Sequence, residues 1–325
     1  MQKQEEPGIH GETGLPATTH IGLVALTVAN LERERYFYEE VLGFRLTGQR
    51  EGRAWLGTAA TQSETGEQAI PREPLLLLIE RTEAPRPPTW STGLYHMAIL
   101  VPSRPDLARS LAQLVASRYP LGGYADHLVS EALYLSDPEG NGIEIYRDRP
   151  RESWHWHNGQ VAMATDPIDL RAMLAEGRSE LERHPWEGLP AGTTIGHVHL
   201  RVADLRPAEH FYHQLLGFSI TARLPGALFV AAGGYHHHLG LNIWESRGAP
   251  APPEGSLGLR LFSIELPTQA AVEAVAHRLE RERWPFERQG EILAVRDPWR
   301  HLVLLMPEGK RRPDLLETWL RSWLG

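Results

Sequence analysis

Residues 21–44, IGLVALTVANLERERYFYEEVLGF, decide the fold, because residues 195–218, IGHVHLRVADLRPAEHFYHQLLGF, repeat them. Ile-Gly, Val28 and Val202, Leu31 and Leu205, Phe-Tyr at 37–38 and 211–212, and Leu-Gly-Phe at 42–44 and 216–218 all recur at a constant offset of 174 residues. Each copy reads as a strand, then Asn30 or Asp204 as an N-cap, then an amphipathic helix that stops at Gly43 or Gly217. Self-similarity at this spacing predicts two homologous halves.

Working outward, a second pair of units has the same shape. His96-Met-Ala-Ile-Leu-Val-Pro102 and Leu261-Phe-Ser-Ile-Glu-Leu-Pro267 read as strands entering helices capped by Ser103 and Thr268, over about 105–118 and 269–283. Each unit closes with strands around an Asp-Pro turn, at Asp137-Pro138 and Asp297-Pro298. The chain therefore reads as an α+β protein of four βαβββ modules, about 20–82, 93–149, 194–247 and 257–307. Sheets that each bury one face predict module pairs forming two half-closed barrels. The expected organisation is a flexible arm (1–18), an N-terminal domain of modules 1 and 2 (19–150), a connector (151–193), a C-terminal domain of modules 3 and 4 (194–310) and a C-terminal helix (311–325). The connector carries Trp154-His-Trp-His157 and a short helix expected to start at Asp166-Pro167.

Composition narrows the function classes. A net charge of −8 with no basic patch argues against a nucleic-acid partner. With no cysteine in the chain, disulfides, thiolate ligands and cysteine nucleophiles are excluded. No apolar run approaches the ~18 residues of a membrane helix and no signal pattern opens the chain, so a soluble cytoplasmic protein is expected, without a membrane partner. Sixteen histidines are the more telling number, because imidazole is the commonest metal ligand.

The chemistry concentrates in Asp126–Tyr146, where a strand, the turn Asp137-Pro-Glu-Gly-Asn-Gly142 and a second strand follow one another. Glu144 stands between Ile143 and Ile145, either as a solvated strand residue or as a ligand aimed into a cavity. The run His127, Tyr134, Asp137, Pro138, Gly140, Asn141, Glu144, together with the repeated Val-x-Asp/Asn-Leu…Phe-Tyr…Leu-Gly-Phe segment, resembles the vicinal oxygen chelate (glyoxalase, bleomycin resistance and extradiol dioxygenase) superfamily. More narrowly it resembles its two-domain catechol 2,3-dioxygenase-like members, over about residues 18–310.

That resemblance implies a metal inside a two-module barrel, held by a His on the first strand of each module and a Glu on a last strand. The first-strand position falls at Leu23, His96, His197 and Leu261, and the last-strand position at Glu144 in module 2, at Leu304 in module 4 and at Asn242 or Leu241 in module 3. The family places its triad in modules 3 and 4; here the implied set is His96, Glu144 and His197, which requires modules 2 and 3 to pair and leaves modules 1 and 4 inert. Two histidines and a carboxylate suit Fe(II), with Mn(II) or another divalent metal as alternatives. The resemblance further implies His237 as acid/base and His127 and Tyr134 as partners of the substrate oxygens. Strand alternation would put His236 and His238 on one face and His237 on the other, and Tyr134 could equally be core. The implied activity is extradiol cleavage of an aromatic diol by O2, in a homo-oligomer. Glyoxalase-like isomerisation with Zn(II), Ni(II) or Mn(II), and metal-free binding of a small molecule, are the alternatives.

Overall fold

The computed structural model describes residues 14–58 and 73–311. Most of the expected N-terminal arm, the segment 59–72 and residues 312–325 of the expected C-terminal helix lie outside the described residues.

Module 1 comprises β1 (His20–Val28), α1 (Leu31–Tyr36), β2 (Arg45–Arg50), β3 (Arg53–Gly57) and β4 (Leu76–Glu80). Module 2 has β5 (Gly93–Leu100), α2 (Arg104–Ala116), β6 (Gly123–Asp126), β7 (Ser130–Ser136) and β8 (Gly142–Asp148). The connector holds the two-residue strands β9 (Trp156–His157) and β10 (Gln160–Val161), then α3 (Leu170–Arg183). Module 3 has β11 (Thr194–Arg201), α4 (Leu205–Glu209), β12 (Ser219–Leu224), β13 (Ala227–Ala231) and β14 (Leu239–Asn242). Module 4 has β15 (Gly258–Leu266), α5 (Gln269–Arg281), β16 (Phe286–Gln289), β17 (Ile292–Arg296) and β18 (Leu302–Pro307).

The caps do what their residue types predict. The side chains of Asn30, Ser103, Asp204 and Thr268 each accept a hydrogen bond from a first-turn backbone N–H. Gly43 and Gly217 follow the helices at φ of 89° and 97°, where a side chain would be strained. In the connector, α3 begins one turn later than the Asp166-Pro167 signal suggested. Asp169 caps it instead, because Asp166 pairs its backbone with that of Asp126.

Two eight-stranded sheets result, in the orders β16-β17-β18-β15-β1-β4-β3-β2 and β12-β13-β14-β11-β5-β8-β7-β6. The first joins module 4 to module 1 and the second joins module 3 to module 2, so both sheets cross between the halves of the sequence. The seams are antiparallel, β1 against β15 and β5 against β11. Contacts within each half run through the repeated Phe-Tyr and Asp-Pro motifs: Tyr38 donates its O–H to Asp137 at 3.0 Å, and Tyr212 to Asp297 at 3.0 Å. Each aspartate also accepts two backbone N–H groups of its own turn. The Asp-Pro turn is therefore an anchor between modules.

Alternation divides each strand between two faces. Val24, Leu26, Met97, Ile99, Ile143, Ile145, Val198 and Leu200 belong to the large core beneath the helices. The opposite face of the first sheet is also apolar: Leu23, Ala25, Trp55, Leu77, Leu261, Ala294 and Leu304 form one buried cluster. The opposite face of the second sheet carries histidines and Glu144.

Candidate metal centre

Four adjacent strands build the site, in the order β11, β5, β8, β7. His197 lies opposite Ala98 across the β11–β5 seam, Ala98 pairs with Glu144 across β5–β8, and Glu144 pairs with Tyr134 across β8–β7. The small side chain of Ala98 leaves room for the larger groups on either side to converge. His96, two residues before Ala98, points to the same face. His96 Nε2 lies 3.0 Å from Glu144 Oε2, His197 Nε2 lies 3.2 Å from the same oxygen, and the two imidazole nitrogens are 3.2 Å apart. All three residues are buried.

A buried carboxylate is costly unless compensated. Burial pushes the Glu144 carboxyl up, but His197 and His96 beside it outweigh that and hold it well below the usual carboxylate range. Burial lowers His197 to about 4 against the opposing pull of Glu144. The resting arrangement is thus an ionised Glu144 beside a neutral His197. Neutral imidazole and ionised carboxylate are the forms that bind metals. Among the described residues His197 Nδ1 is buried with no hydrogen-bond partner, so none of them dictates its tautomer and Nε2 can present a lone pair.

The donor set fits a divalent cation. Metal–ligand bonds of ~2.1 Å put neighbouring donors about 3.0 Å apart on an octahedron and about 3.4 Å apart on a tetrahedron. The observed edges of 3.0, 3.2 and 3.2 Å run from the octahedral value to midway between the two, so the donors span a face of either polyhedron. Two histidines and a carboxylate on one such face leave positions open on the other side, the pattern of non-haem Fe(II) sites.

His237 is packed on His197, ring centroids 4.1 Å apart, with Phe229 against its other side at 5.0 Å. Burial, with His197 and His236 adding to it, lowers its imidazole well below the ordinary value. The assumption of strand alternation at 236–238 does not hold: these residues form a loop between β13 and β14, and all three are buried. Their roles are set by partners. His236 Nδ1 faces His237 Nδ1 at 2.8 Å, while His238 Nδ1 accepts from the Ala232 N–H at 3.2 Å, away from the metal donors. His127 and Tyr134 are joined: His127 Nδ1 donates to the Ala164 carbonyl at 2.7 Å, so its Nε2 accepts the Tyr134 O–H at 2.6 Å. Burial, reinforced by Glu144, raises the Tyr134 phenol well above 10.0. Trp154 is buried in a cluster with Val129, Val161, Ala231 and Tyr235; Trp156, Tyr124, His155 and His157 are exposed.

The structure corrects one alignment and adds one residue. By register, the module 3 counterpart of Glu144 is Gly240, not Asn242 or Leu241. Glu144 pairs with the residue two after His96, and Gly240 pairs with His199, two after His197. His199 fills the vacated place: a Cβ on Gly240 would stand 2.8 Å from the His199 ring. His199 Nε2 meets Asn242 Nδ2 at 3.0 Å, and burial, then His96 and His197, holds it neutral. Spacing of two from His197 was the available signal. Tyr95 lies 5.4 Å from His96 and 5.6 Å from Trp244, and both rings reach solvent, making an aromatic rim beside the histidines.

This fold with this site defines a class. The Glyoxalase/Bleomycin resistance protein/Dioxygenase superfamily matches residues 20–145 and 194–304, and the chain belongs to it. Among characterised relatives, the chain is 42% identical over 290 residues, 88% of this chain and 96% of the other, to the catechol-2,3-dioxygenase of Bacillus subtilis (strain 168). By that kinship it is catechol-2,3-dioxygenase-like. The fold is shared with a Bacillus subtilis protein provisionally described as a dioxygenase (TM-score 0.60, 13% identity, covering 91% of this chain and 86% of that one). It is shared also with glyoxalase I from Zea mays (TM-score 0.53, 17% identity, 94% and 96%).

Proposed function

We propose that the chain is an Fe(II)-dependent extradiol dioxygenase that opens a catechol-type ring with O2 to a hydroxymuconic semialdehyde, with His96, Glu144 and His197 as the metal ligands. The observation that carries this reading is the three-donor face itself, split between β5, β8 and β11, with Gly240 where a second carboxylate would stand. A fourth protein ligand would consume a position that two oxygen atoms of a diol and O2 require. The same glycine weighs against a glyoxalase-like site, for which a Glu at both last-strand positions is expected.

Bound iron would supply adjacent open positions for diol and O2 and the unpaired electrons that let a singlet diol react with triplet O2. The protein's own part is orientation and proton handling. The rim of Tyr95 and Trp244 suits a flat aromatic ring. Tyr134 stays protonated and gives its hydrogen to His127, so its oxygen lone pairs are available to a diol hydroxyl. A proton can pass from that hydroxyl to the Tyr134 oxygen as Tyr134 releases its own to His127 Nε2, which leaves a diolate oxygen and an imidazolium whose Nδ1–H remains on the Ala164 carbonyl. His237, neutral and against His197, exchanges the second proton.

The test is anaerobic loading with Fe(II), followed by O2 uptake and appearance of a yellow ring-opened product with catechol and its 3- and 4-alkyl derivatives. Stoichiometric O2 consumption supports the reading. Tight Fe(II) binding without O2 uptake on any catechol would overturn it.

A further inference from the structure

Beyond the metal donors, a chain of hydrogen bonds runs from the site through the loop 235–238 to the end of β8. His237 Nδ1 meets His236 Nδ1 at 2.8 Å, His236 Nε2 meets Asp148 Oδ1 at 2.8 Å, and the Tyr235 hydroxyl reaches the same oxygen at 3.2 Å. The Tyr146 hydroxyl completes the set, 2.7 Å from that of Tyr235. His236 has no solvent exposure, and the Asp148 side chain is 26% exposed. Asp148 sits on β8 four residues after Glu144, hence on the same face.

The carboxylate sets the bonds at its own end of this chain, and the hydrogen count of one imidazole sets the rest. A carboxylate only accepts, so His236 Nε2 must carry a hydrogen and donate it. An imidazole that carries one hydrogen has its lone pair on the other nitrogen, here His236 Nδ1. Two imidazole nitrogens 2.8 Å apart need one hydrogen between them, so it belongs to His237 Nδ1. His237, neutral in its turn, is left with the lone pair on Nε2. Tyr235 likewise gives its hydrogen to Asp148 and receives one from Tyr146.

We infer that Asp148 and His236 are positioning residues that fix His237 as its Nδ1–H tautomer, so that Nε2 meets the substrate as a base. The role assigned to His237 rests on the function proposed above; the tautomer does not. When Nε2 takes a proton from a diol hydroxyl, the resulting imidazolium keeps its Nδ1–H on His236, and Asp148 offsets the charge two bonds away. The diol oxygen is left as an alkoxide-type anion, and no other protein group gains or loses a proton. In a Ser–His–Asp triad, presenting the wrong histidine tautomer costs about 10⁴-fold in turnover, which sets the scale of what such a carboxylate can govern.

The experiment is a long-range ¹H–¹⁵N correlation spectrum of histidine-labelled full-length protein loaded with diamagnetic Zn(II), which reads each imidazole tautomer without turnover. The expected wild-type result is a single Nδ1–H tautomer for His237. His236→Phe keeps the ring stacked between Tyr235 and Trp154, 4.1 and 5.2 Å away, but removes its nitrogens, and should shift His237 toward the Nε2–H form. Asp148→Asn, an isosteric change at a partly exposed side chain, should make the Nε2–H form detectable. In the Fe(II)-loaded protein both variants should lose at least about 10-fold in kcat with KM within about twofold. A wild-type His237 protonated at Nε2, or a tautomer unmoved in both variants, overturns the inference. So does a tautomer that shifts while kcat holds. An inactive wild type with the Nδ1–H tautomer would refute the dioxygenase reading and leave this arrangement standing.

Discussion

Glu144 and Leu304 occupy equivalent places in the two sheets, each paired with the residue two after its module's first-strand position. They should respond oppositely to substitution. Glu144→Gln keeps shape and burial but replaces the only anionic donor of the triad. Loss of an outer-shell partner alone typically weakens metal binding about 10–100-fold, so loss of a charged ligand should cost at least about 100-fold, or ~2.7 kcal/mol. Metal-free protein should also lose about 1.5–3 kcal/mol, the usual worth of hydrogen bonds to a charged acceptor. Leu304→Ala removes buried methyl groups from a closed apolar cluster and should cost about 2–5 kcal/mol of stability, lowering Tm by roughly 4–10 °C, with metal affinity unchanged. The assays are competitive chelator titration under anaerobic conditions and denaturant unfolding of both variants with and without metal. A Glu144→Gln protein that binds Fe(II) as the wild type does, or a Leu304→Ala protein that loses metal, would show that the two faces are not divided as argued.

Three further outcomes follow from the same geometry. Tyr134→Phe deletes the hydroxyl shared with His127 and should lower kcat about 10–100-fold while metal content stays full, checked by steady-state O2 uptake against measured iron. The buried imidazoles should make the metal-free fold weaken as pH falls. His197, lowered from 6.5 to about 4, is neutral in the folded protein where the unfolded chain takes up a proton, so its contribution is retained above 6.5 and lost progressively toward 4, whereas Glu34, raised to about 9 by burial, acts the other way. His197 alone contributes on the order of 3 kcal/mol at the low end, and Glu144, His199 and His237 act in the same direction; urea midpoints of wild type and His197→Asn that keep the same separation between pH 7 and pH 5 would contradict this. Gly240→Ala forces a Cβ to 2.8 Å from His199 and should cost about 1–3 kcal/mol, read as a fall in Tm, with a changed His199 imidazole resonance.

The repeat made the fold legible because each of its signals is local: a cap residue, a glycine at positive φ, an alternating strand. The pairing of modules 2 with 3 was also accessible, through the ligand positions that leucine had taken in modules 1 and 4. What stayed hidden depends on register between strands distant in sequence. Gly240 could not be matched to Glu144 until β14 was seen beside β11, and the choice of Asn242 was off by the same two residues that bring His199 into the site. The loop 235–238 was hidden for a different reason. Its apolar continuation into Leu239 reads as strand, whereas consecutive glycines at 233 and 234, with φ of 62° and 65°, turn the chain so that alternation no longer applies. Asp148 carried no motif at all; only its position four residues beyond Glu144 connects it to the site.

The division between the two sheets has a physical logic. Both have an inward face with the same backbone, and an inward face must be either filled or given a ligand. In the first sheet Leu23, Leu77, Leu261 and Leu304 stand at the four equivalent positions and fill it, each contributing about 1.5–3 kcal/mol of burial. In the second, polar groups at three of those positions must satisfy one another, and the fourth is a glycine whose space a histidine takes. Stability accumulated in the apolar barrel offsets the cost of holding Glu144 and several neutral imidazoles out of water. Because each sheet draws one module from each half, neither half can complete the triad: His96 and Glu144 wait on His197. Coupling through Tyr38–Asp137 and Tyr212–Asp297 then makes the apolar sheet a brace for the polar one, since each anchor ties a module of the first to a module of the second. Removing one anchor, as in Tyr38→Phe, should therefore cost about 1–3 kcal/mol and leave the triad's three donors in place, measurable as a lower unfolding midpoint with unaltered metal stoichiometry. Metal loss in step with the stability loss would mean that the anchor shapes the site directly and that the two sheets are not separable in function.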